Sequence, residues 1–146
     1  MSNQFTVREQ IIELCNRLFI YTDNREWNKL KQEVFTENVL FDMSSLGAGD
    51  PVMLPAAEIC AKWETGFQGI DQVHHQAGNY IVDIVGGNAS VHAYAIAIHH
   101  KNSAVHGKTR QFVGTYNLRC VETPDGWRMS GFKYNLKYAE GNVDLK

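Results

Sequence analysis

The chain has 146 residues, the size of one domain covering 1–146, and its 44% hydrophobic and 21% charged composition indicates a globular protein. A net charge of −2, with 14 scattered basic residues, gives no surface for a polyanion, so nucleic-acid binding is not expected. No stretch approaches the ~18 apolar residues of a membrane span, the start is polar, and the three cysteines suit reduced thiols. We therefore expect a cytoplasmic protein without a membrane partner.

The first third of the chain has helical periodicity. Apolar residues over 7–21 keep the three- and four-residue spacing of one helical face. A second helix is predicted over roughly 25–35. Asp23 or Asn24 can cap it, and Asp23 and Glu26 have the spacing of a capping box. "ENVLFDM" predicts a short strand, "SSLGAGDPVMLP" predicts a loop, and a third helix is predicted over roughly 56–67.

From Asp71 onward the hydrophobic period changes to two. Four long strands are predicted, over roughly 73–85, 89–100, 110–122 and 127–138. They are separated by "GGN", by a loop around "KNSAVHGK" and by a tight "TPDG" turn. Helices followed by antiparallel strands predict an α+β domain, in which a strongly curved sheet wraps around the helices.

Four of the six histidines form two doublets, His74-His75 and His99-His100. Successive side chains of a strand point to opposite faces, so each doublet should direct one imidazole inward. His75 shares a mostly apolar face and is placed inside, unless a β-bulge reverses the strand. His100 shares a face with large side chains and His99 shares one with three alanines. We therefore place His100 inside and His99 outside, and expect His74 and His106 to be exposed.

The alanine face beside His99 would then be an exposed apolar strip on the outer sheet. Such a strip predicts self-association, most simply as a homodimer, with a trimer as the alternative. On the third long strand Thr115 and Asn117 lie two residues apart and share a face. If that face is the interior, it adds two hydrogen-bonding groups to the two histidines.

The order of three segments is similar to that of a known family. "FTENVLFDMSSLGAG", "VHHQAGNYIVDIVGGNASVHAYAIAIHH" and "FVGTYNLRCVETPDGWRMSGFKYNLKYAEGN" resemble SnoaL-like proteins of the nuclear-transport-factor-2-like superfamily, closest in pattern to scytalone dehydratase-like members. The resemblance extends from about Ile11 to Asn142. It implies a cone-shaped, curved antiparallel sheet, an α+β barrel, whose mouth is covered by the N-terminal helices and which encloses an apolar cavity.

The resemblance also implies roles for individual residues. His75 and His100 stand at the two catalytic-histidine positions of scytalone dehydratase, and Asp23 matches the acid that supports the second histidine. Thr115 and Asn117 stand at a serine and an asparagine position that contact the substrate.

The sequence departs from that enzyme at two positions. Where the enzyme uses two tyrosines to hold the carbonyl of its substrate, this chain has Thr22 and Met43. Polarisation of a carbonyl would then depend on Tyr21, Tyr80 or Tyr94 reaching into the cavity.

Two kinds of chemistry compete for the histidines. Metal clusters on strands usually use an H-x-H pair, which is absent from the sequence, as is H-E-x-x-H, so we expect no metal and no cofactor. Acid–base catalysis needs only imidazoles that titrate near neutral pH and a carboxylate to orient them.

Asp42 ends the predicted "LFD" strand, near the position of the base in related isomerases. Further substrate contacts are predicted for Trp27, Met53, Leu54, Trp63 and Tyr94.

These residues predict a cofactor-independent lyase or isomerase for a small hydrophobic cyclic or ketonic molecule. His75 would be the general acid–base, and His100, oriented by Asp23, the second one. The alternative is a small-molecule-binding or accessory subunit that carries out no chemistry, and the missing tyrosines favour it.

Overall fold

The computed structural model describes residues 4–146, and three α-helices and six β-strands form within that range. In chain order they are α1 (Val7–Asp23), α2 (Trp27–Lys29), β1 (Phe35–Asp42), β2 (Val52–Pro55), α3 (Ala56–Gly66), β3 (Gln72–Val85), β4 (Asn88–His100), β5 (Thr109–Thr123) and β6 (Gly126–Gly141). A π-helical turn over Leu30–Val34 extends α2, and a 3-10 turn over Ser44–Leu46 follows β1. The predicted first and third helices and four long strands are confirmed.

The strands form one curved, open sheet in the order β2-β1-β6-β5-β4-β3. With the helices on its concave side, this sheet confirms the predicted α+β cone. Two details differ from the prediction. The sheet is mixed because β1 runs parallel to β6, and β2 forms inside the predicted loop by pairing antiparallel with β1.

Helix α1 carries the acid of the site at its C-terminal end. Its N-terminus is closed by a capping box, in which Thr6 Oγ1 accepts from the Glu9 amide at 3.1 Å and the Glu9 carboxylate accepts from the Thr6 amide at 2.9 Å. The buried face packs mainly against β3. Its buried residues are Ile11, Leu14, Cys15, Leu18, Phe19 and Thr22. This packing brings Asp23, the last residue of α1, against β3.

The chain after α1 is less helical than predicted. Arg25 adopts a left-handed backbone conformation (φ 56°), and its guanidinium donates to the Ile70 carbonyl oxygen. Helix α2 begins only at Trp27, and its N-cap residue makes no side-chain capping hydrogen bond. The capping role predicted for Asp23 is therefore wrong, because its carboxylate accepts hydrogen bonds from His75 instead.

The orientation of β4 is opposite to the predicted one. The alanine face is buried, whereas Tyr94 on the other face is 47% exposed. Small side chains here leave room for large ones on the neighbouring elements, such as Phe19 and Tyr116, which contact each other edge to face. His99, which follows the alanines, is consequently inside the cone, and only 8% of its surface is exposed.

This orientation removes the surface on which self-association was predicted. Ala93, Ala95 and Ala97 are each at most 7% exposed, so they offer no strip to a second copy. A homodimer stays a prediction, without this argument for it. Within residues 4–146 no helix combines the length and hydropathy that a membrane crossing requires.

Candidate active site

A cavity of about 250 Å³ opens between α1, α3, the 3-10 turn and the concave face of the sheet. Its wall is predominantly aromatic and aliphatic. The aromatic side chains in it are Phe19, Trp63, Phe67, Phe112, Tyr116, Phe132 and Tyr134. The volume suits one small molecule, and the flat rings suit a largely hydrophobic one.

His75 and Asp23 form a hydrogen-bonded pair at this wall. Nδ1 of His75 lies 2.5 Å from Oδ1 of Asp23, and the backbone amide of His75 donates to Oδ2 at 2.9 Å. The two side chains are 10% and 15% exposed, so the pair is largely shielded from solvent. Phe19 stacks on the imidazole with ring centroids 5.5 Å apart. Both carboxylate oxygens therefore fix the position of His75.

This pairing decides which nitrogen of His75 is available. An ionised carboxylate can only accept, so Nδ1 of His75 carries the proton that it donates to Asp23. In the neutral imidazole the other nitrogen, Nε2, is then an acceptor. No hydrogen bond to Nε2 forms within the described part of the chain. His75 thus has the arrangement of a general base whose tautomer is set by a carboxylate.

His99 is the second histidine of the wall, and Arg110 holds it. The two residues are direct cross-strand partners on β4 and β5, and Nε of Arg110 donates to Nδ1 of His99 at 2.9 Å. Burial, the positive charge of Arg110 and an electrostatic contribution from His75 lower the pKa of His99 to about 3. His99 is therefore neutral at physiological pH and carries its proton on Nε2, as a hydrogen-bond donor.

Two tyrosines from adjacent strands complete the wall. Tyr116 and Tyr134 pair across β5 and β6, and their ring centroids are 4.9 Å apart. Burial raises the pKa of both phenols, that of Tyr134 to about 12, so both hydroxyls stay protonated. The Tyr134 hydroxyl is buried and has no hydrogen-bond partner among residues 4–146.

Gly114 makes room for Tyr134, and this predicts a loss of stability in Gly114→Ala. A Cβ atom at this position would lie 2.5 Å from the Tyr134 hydroxyl and 2.3 Å from the Asn135 carbonyl oxygen. Because the backbone cannot yield easily, we expect the free energy of unfolding to fall by about 1–3 kcal/mol. Urea unfolding measures it. Gly78→Ala is the matched control, since a Cβ there meets no described atom within 4 Å. Equal losses in both variants would contradict the steric argument.

The structure brings three of the predicted residues to the site. His75 and Trp63 line the cavity, and Asp23 stands behind His75. The partner predicted for Asp23 is wrong, because the carboxylate binds His75 and not His100. The predicted interior position of His100 is also wrong, since His99 occupies the cavity wall and His100 points to the other face of β4.

Three further predicted contacts lie on the outer face of the sheet. Thr115 pairs with Tyr94 across the strands, and Asn117 pairs with His92. The Asn135 amide donates to both Thr115 and Asn117 on that face. The predicted substrate contacts of Thr115, Asn117 and Tyr94 in the cavity are therefore wrong, because these side chains alternate with the inward-facing tyrosines.

The remaining predicted contacts also lie away from the cavity. Asp42 binds the amide and hydroxyl of Ser44, and these hydrogen bonds hold the pKa of its carboxyl below the usual value. Trp27 stacks near Phe67 without lining the cavity. Met53 is 59% exposed, and the partly buried Leu54 is not in the wall either. Instead, Met43 and Leu46 contribute the apolar side chains at this end.

The alternative tyrosines also find other partners. The Tyr21 hydroxyl donates to Glu33, and the Tyr80 hydroxyl donates to Asn16.

Sequence reasoning missed His99, Arg110, Tyr116 and Tyr134. Their signal was available in the three antiparallel strands β4, β5 and β6, because placing the alanine face of β4 inward directs all four side chains toward the cavity.

The chain is similar to known proteins in both sequence and fold. Residues 3–133 match the SnoaL-like domain. The chain belongs to the SnoaL-like family. The Kfla4162 protein from Kribbella flavida has a similar structure, with 30% sequence identity, a TM-score of 0.88, and coverage of 94% of this chain and 95% of that one. The comparison with curated proteins found no match.

More distant structures share the fold of this SnoaL-like chain. A proposed scytalone dehydratase from Novosphingobium aromaticivorans has a TM-score of 0.77 at 14% identity, with 90% of this chain and 84% of that one covered. A hexachlorocyclohexane dehydrochlorinase has a TM-score of 0.75 at 12% identity, with coverage of 91% and 86%. The architecture is therefore one that also occurs in lyases.

Proposed function

We propose that this SnoaL-like protein is a cofactor-independent lyase or isomerase that moves a proton on a small, largely hydrophobic cyclic or ketonic molecule. The observation that carries the proposal is the His75–Asp23 pair in the wall of an aromatic cavity. A carboxylate that fixes the tautomer of an imidazole leaves Nε2 of that imidazole free to take a proton.

The proposed reaction begins with removal of a proton from carbon. Nε2 of His75 takes a proton from the carbon next to a carbonyl group, and the electron pair of the broken C–H bond forms an enolate. The Asp23 carboxylate stabilises the imidazolium that results. His75 then returns the proton, either to another carbon, which gives an isomer, or to a departing hydroxyl group, which gives water and an unsaturated product.

His99 has a different role from the one predicted for a second histidine. With a pKa of about 3 it does not exchange protons with the substrate near neutral pH. Its Nε2–H donates a hydrogen bond to the carbonyl oxygen, where negative charge develops in the enolate. A neutral imidazole is suited to this task, because it stabilises the charge without transferring its proton. The hydrophobic wall strengthens this interaction by excluding water.

The proposal is tested by proton exchange with solvent, which does not require the natural substrate. The protein is incubated in D2O with a panel of small cyclic ketones and β-hydroxy ketones, and deuterium incorporation and water loss are followed by mass spectrometry. We expect exchange next to the carbonyl group at about 10²-fold or more above free imidazole at equal concentration. Ligand binding without exchange for the whole panel would contradict catalysis and indicate the non-catalytic binding protein.

A further inference from the structure

Arg110 is a half-buried cation whose hydrogen bonds go to uncharged groups. Its Nε donates to Nδ1 of His99 at 2.9 Å, and its Nη1 donates to the Val143 carbonyl oxygen at 2.8 Å. Asp144 acts on its charge from a distance, but within residues 4–146 no carboxylate reaches Arg110 at salt-bridge distance. Burial without a counterion is costly for a guanidinium, and here it lowers the pKa of Arg110.

The rest of the described cavity wall has no negative charge that would compensate the positive charge of Arg110. Lys62 lines the cavity from the exposed side of α3, and it too forms no salt bridge in the described chain. The described wall residues include no Asp or Glu, and Asp23 is engaged with His75 behind the wall. With neutral imidazoles the wall therefore carries two positive charges, in a chain whose net charge is −2.

From this charge distribution we infer that the ligand of the cavity is a small carboxylic acid, bound as its anion by Arg110 and Lys62. The inference rests on the proposed function only in taking the cavity as the substrate site. The planar guanidinium has N–H groups left after its bonds to His99 and Val143, and these match the geometry of a carboxylate. The aromatic walls would hold the apolar body of the acid, with its reacting carbon toward His75.

The test compares a neutral and an anionic ligand of the same shape. Benzoate and benzamide are titrated into the full chain near neutral pH, and binding is measured by calorimetry. We expect benzoate to bind about tenfold more tightly or better, which corresponds to about 1.4 kcal/mol. Equal affinities, tighter binding of benzamide, or binding of benzoate weaker than about 10 mM would overturn the inference.

Two lysine variants show whether the preference arises in the cavity. Lys62→Met should weaken benzoate about threefold to tenfold and leave benzamide within twofold, since it removes one of the two cations. Lys62 is exposed on α3, so this change leaves the core intact. Lys137→Met is the matched control, because Lys137 lies over the Tyr94 ring on the outer face. An equal loss of benzoate affinity in both variants would show non-specific attraction and overturn the inference.

Arg110→Gln provides a second measurement. We expect the largest loss of the benzoate preference in this variant, and a preference that survives it would contradict the role of Arg110. The titrations are repeated in His75→Gln, where turnover is lost but both cations remain. In the wild-type protein, acid preference without any exchange activity would leave the inference standing and remove the proposed function. Exchange activity without acid preference would do the reverse.

Discussion

Turnover by the His75→Gln variant should be about 10²–10⁴-fold lower than that of the wild-type protein. Glutamine can still donate to Asp23, but it cannot accept a proton from carbon at neutral pH. The rate is measured as deuterium incorporation into whichever panel compound the wild-type protein exchanges. Urea unfolding of the variant checks that its stability is retained.

The His74-His75 doublet supplies a matched control for the His75→Gln variant. His74 is the neighbour of His75 on β3, but its side chain is exposed on the opposite face. His74→Gln should therefore keep the wild-type rate within about twofold, as is usual for a surface change away from a site. A rate loss in both variants, or in neither, would remove His75 from the proposed mechanism.

Replacing the Asp23 carboxylate should also lower the rate, because this carboxylate fixes the tautomer of His75. In Asp23→Asn the amide group can donate to Nδ1 of His75, which would move the ring proton to Nε2 and occupy the position of the base. We expect a loss of up to about 10⁴-fold, and no further loss in the double variant with His75→Gln, because the two groups act as a unit. Asp42→Asn is the control, since Asp42 binds Ser44 outside the cavity.

The fold could be predicted because its signals are local. The four long strands end at glycine-containing turns, and the period of two between them identifies each strand without knowledge of its neighbours. The π-helical turn after α2 could not be predicted in this way. It follows the left-handed Arg25, whose guanidinium binds the Ile70 carbonyl oxygen, far away in the sequence.

The errors about the site on β4 and β5 come from one choice of face. Alternation divides a strand into two sets of side chains, but it does not say which set a helix will cover. On β4 the smaller side chains are inside, which placed His99 and not His100 in the cavity. Because Tyr94 pairs with Thr115, the same choice carried the polar residues of β5 to the wrong side. One wrong assignment of the inward face therefore put side chains of both β4 and β5 on the wrong side of the sheet.

The His99–Arg110 pair was beyond single-strand reasoning for a related reason. The local sequence around Arg110 does not indicate that this residue belongs to the site, since one arginine at the start of a strand is usually exposed. Its position opposite His99 follows from the register of the β4–β5 hairpin. The low pKa of His99 in turn requires both that register and the burial that the fold supplies.

Stability should depend on pH through the buried His99. The folded-state pKa of about 3 lies below the ordinary value of 6.5. Between these values the unfolded chain binds a proton at residue 99 and the folded chain does not, so stability falls as pH falls. The contribution is fully present above pH 6.5, and its slope is at most about 1.4 kcal/mol per pH unit.

The His99→Gln variant isolates this contribution. A glutamine oxygen can accept a hydrogen bond from Arg110, and the glutamine amide does not titrate. When the pH is lowered from 6.5 by two units, the free energy of unfolding should therefore fall by less in the variant than in the wild-type protein. The difference between the two decreases should be up to about 2–3 kcal/mol. Urea unfolding followed by tryptophan fluorescence at several pH values gives both slopes. Groups that do not interact with residue 99 contribute equally in both proteins and cancel in the difference.

His100→Gln is the matched control on the outer face, and a change of slope that it does not reproduce is assigned to His99. Parallel slopes for the wild-type protein and His99→Gln would mean that His99 takes up a proton in the folded state. It would then be a second acid–base group, as the sequence first suggested for its neighbour, and not a fixed donor. Because a neutral His99 is what allows its Nε2–H to stabilise an enolate oxygen without giving up the proton, this stability measurement tests the mechanism before any substrate is known.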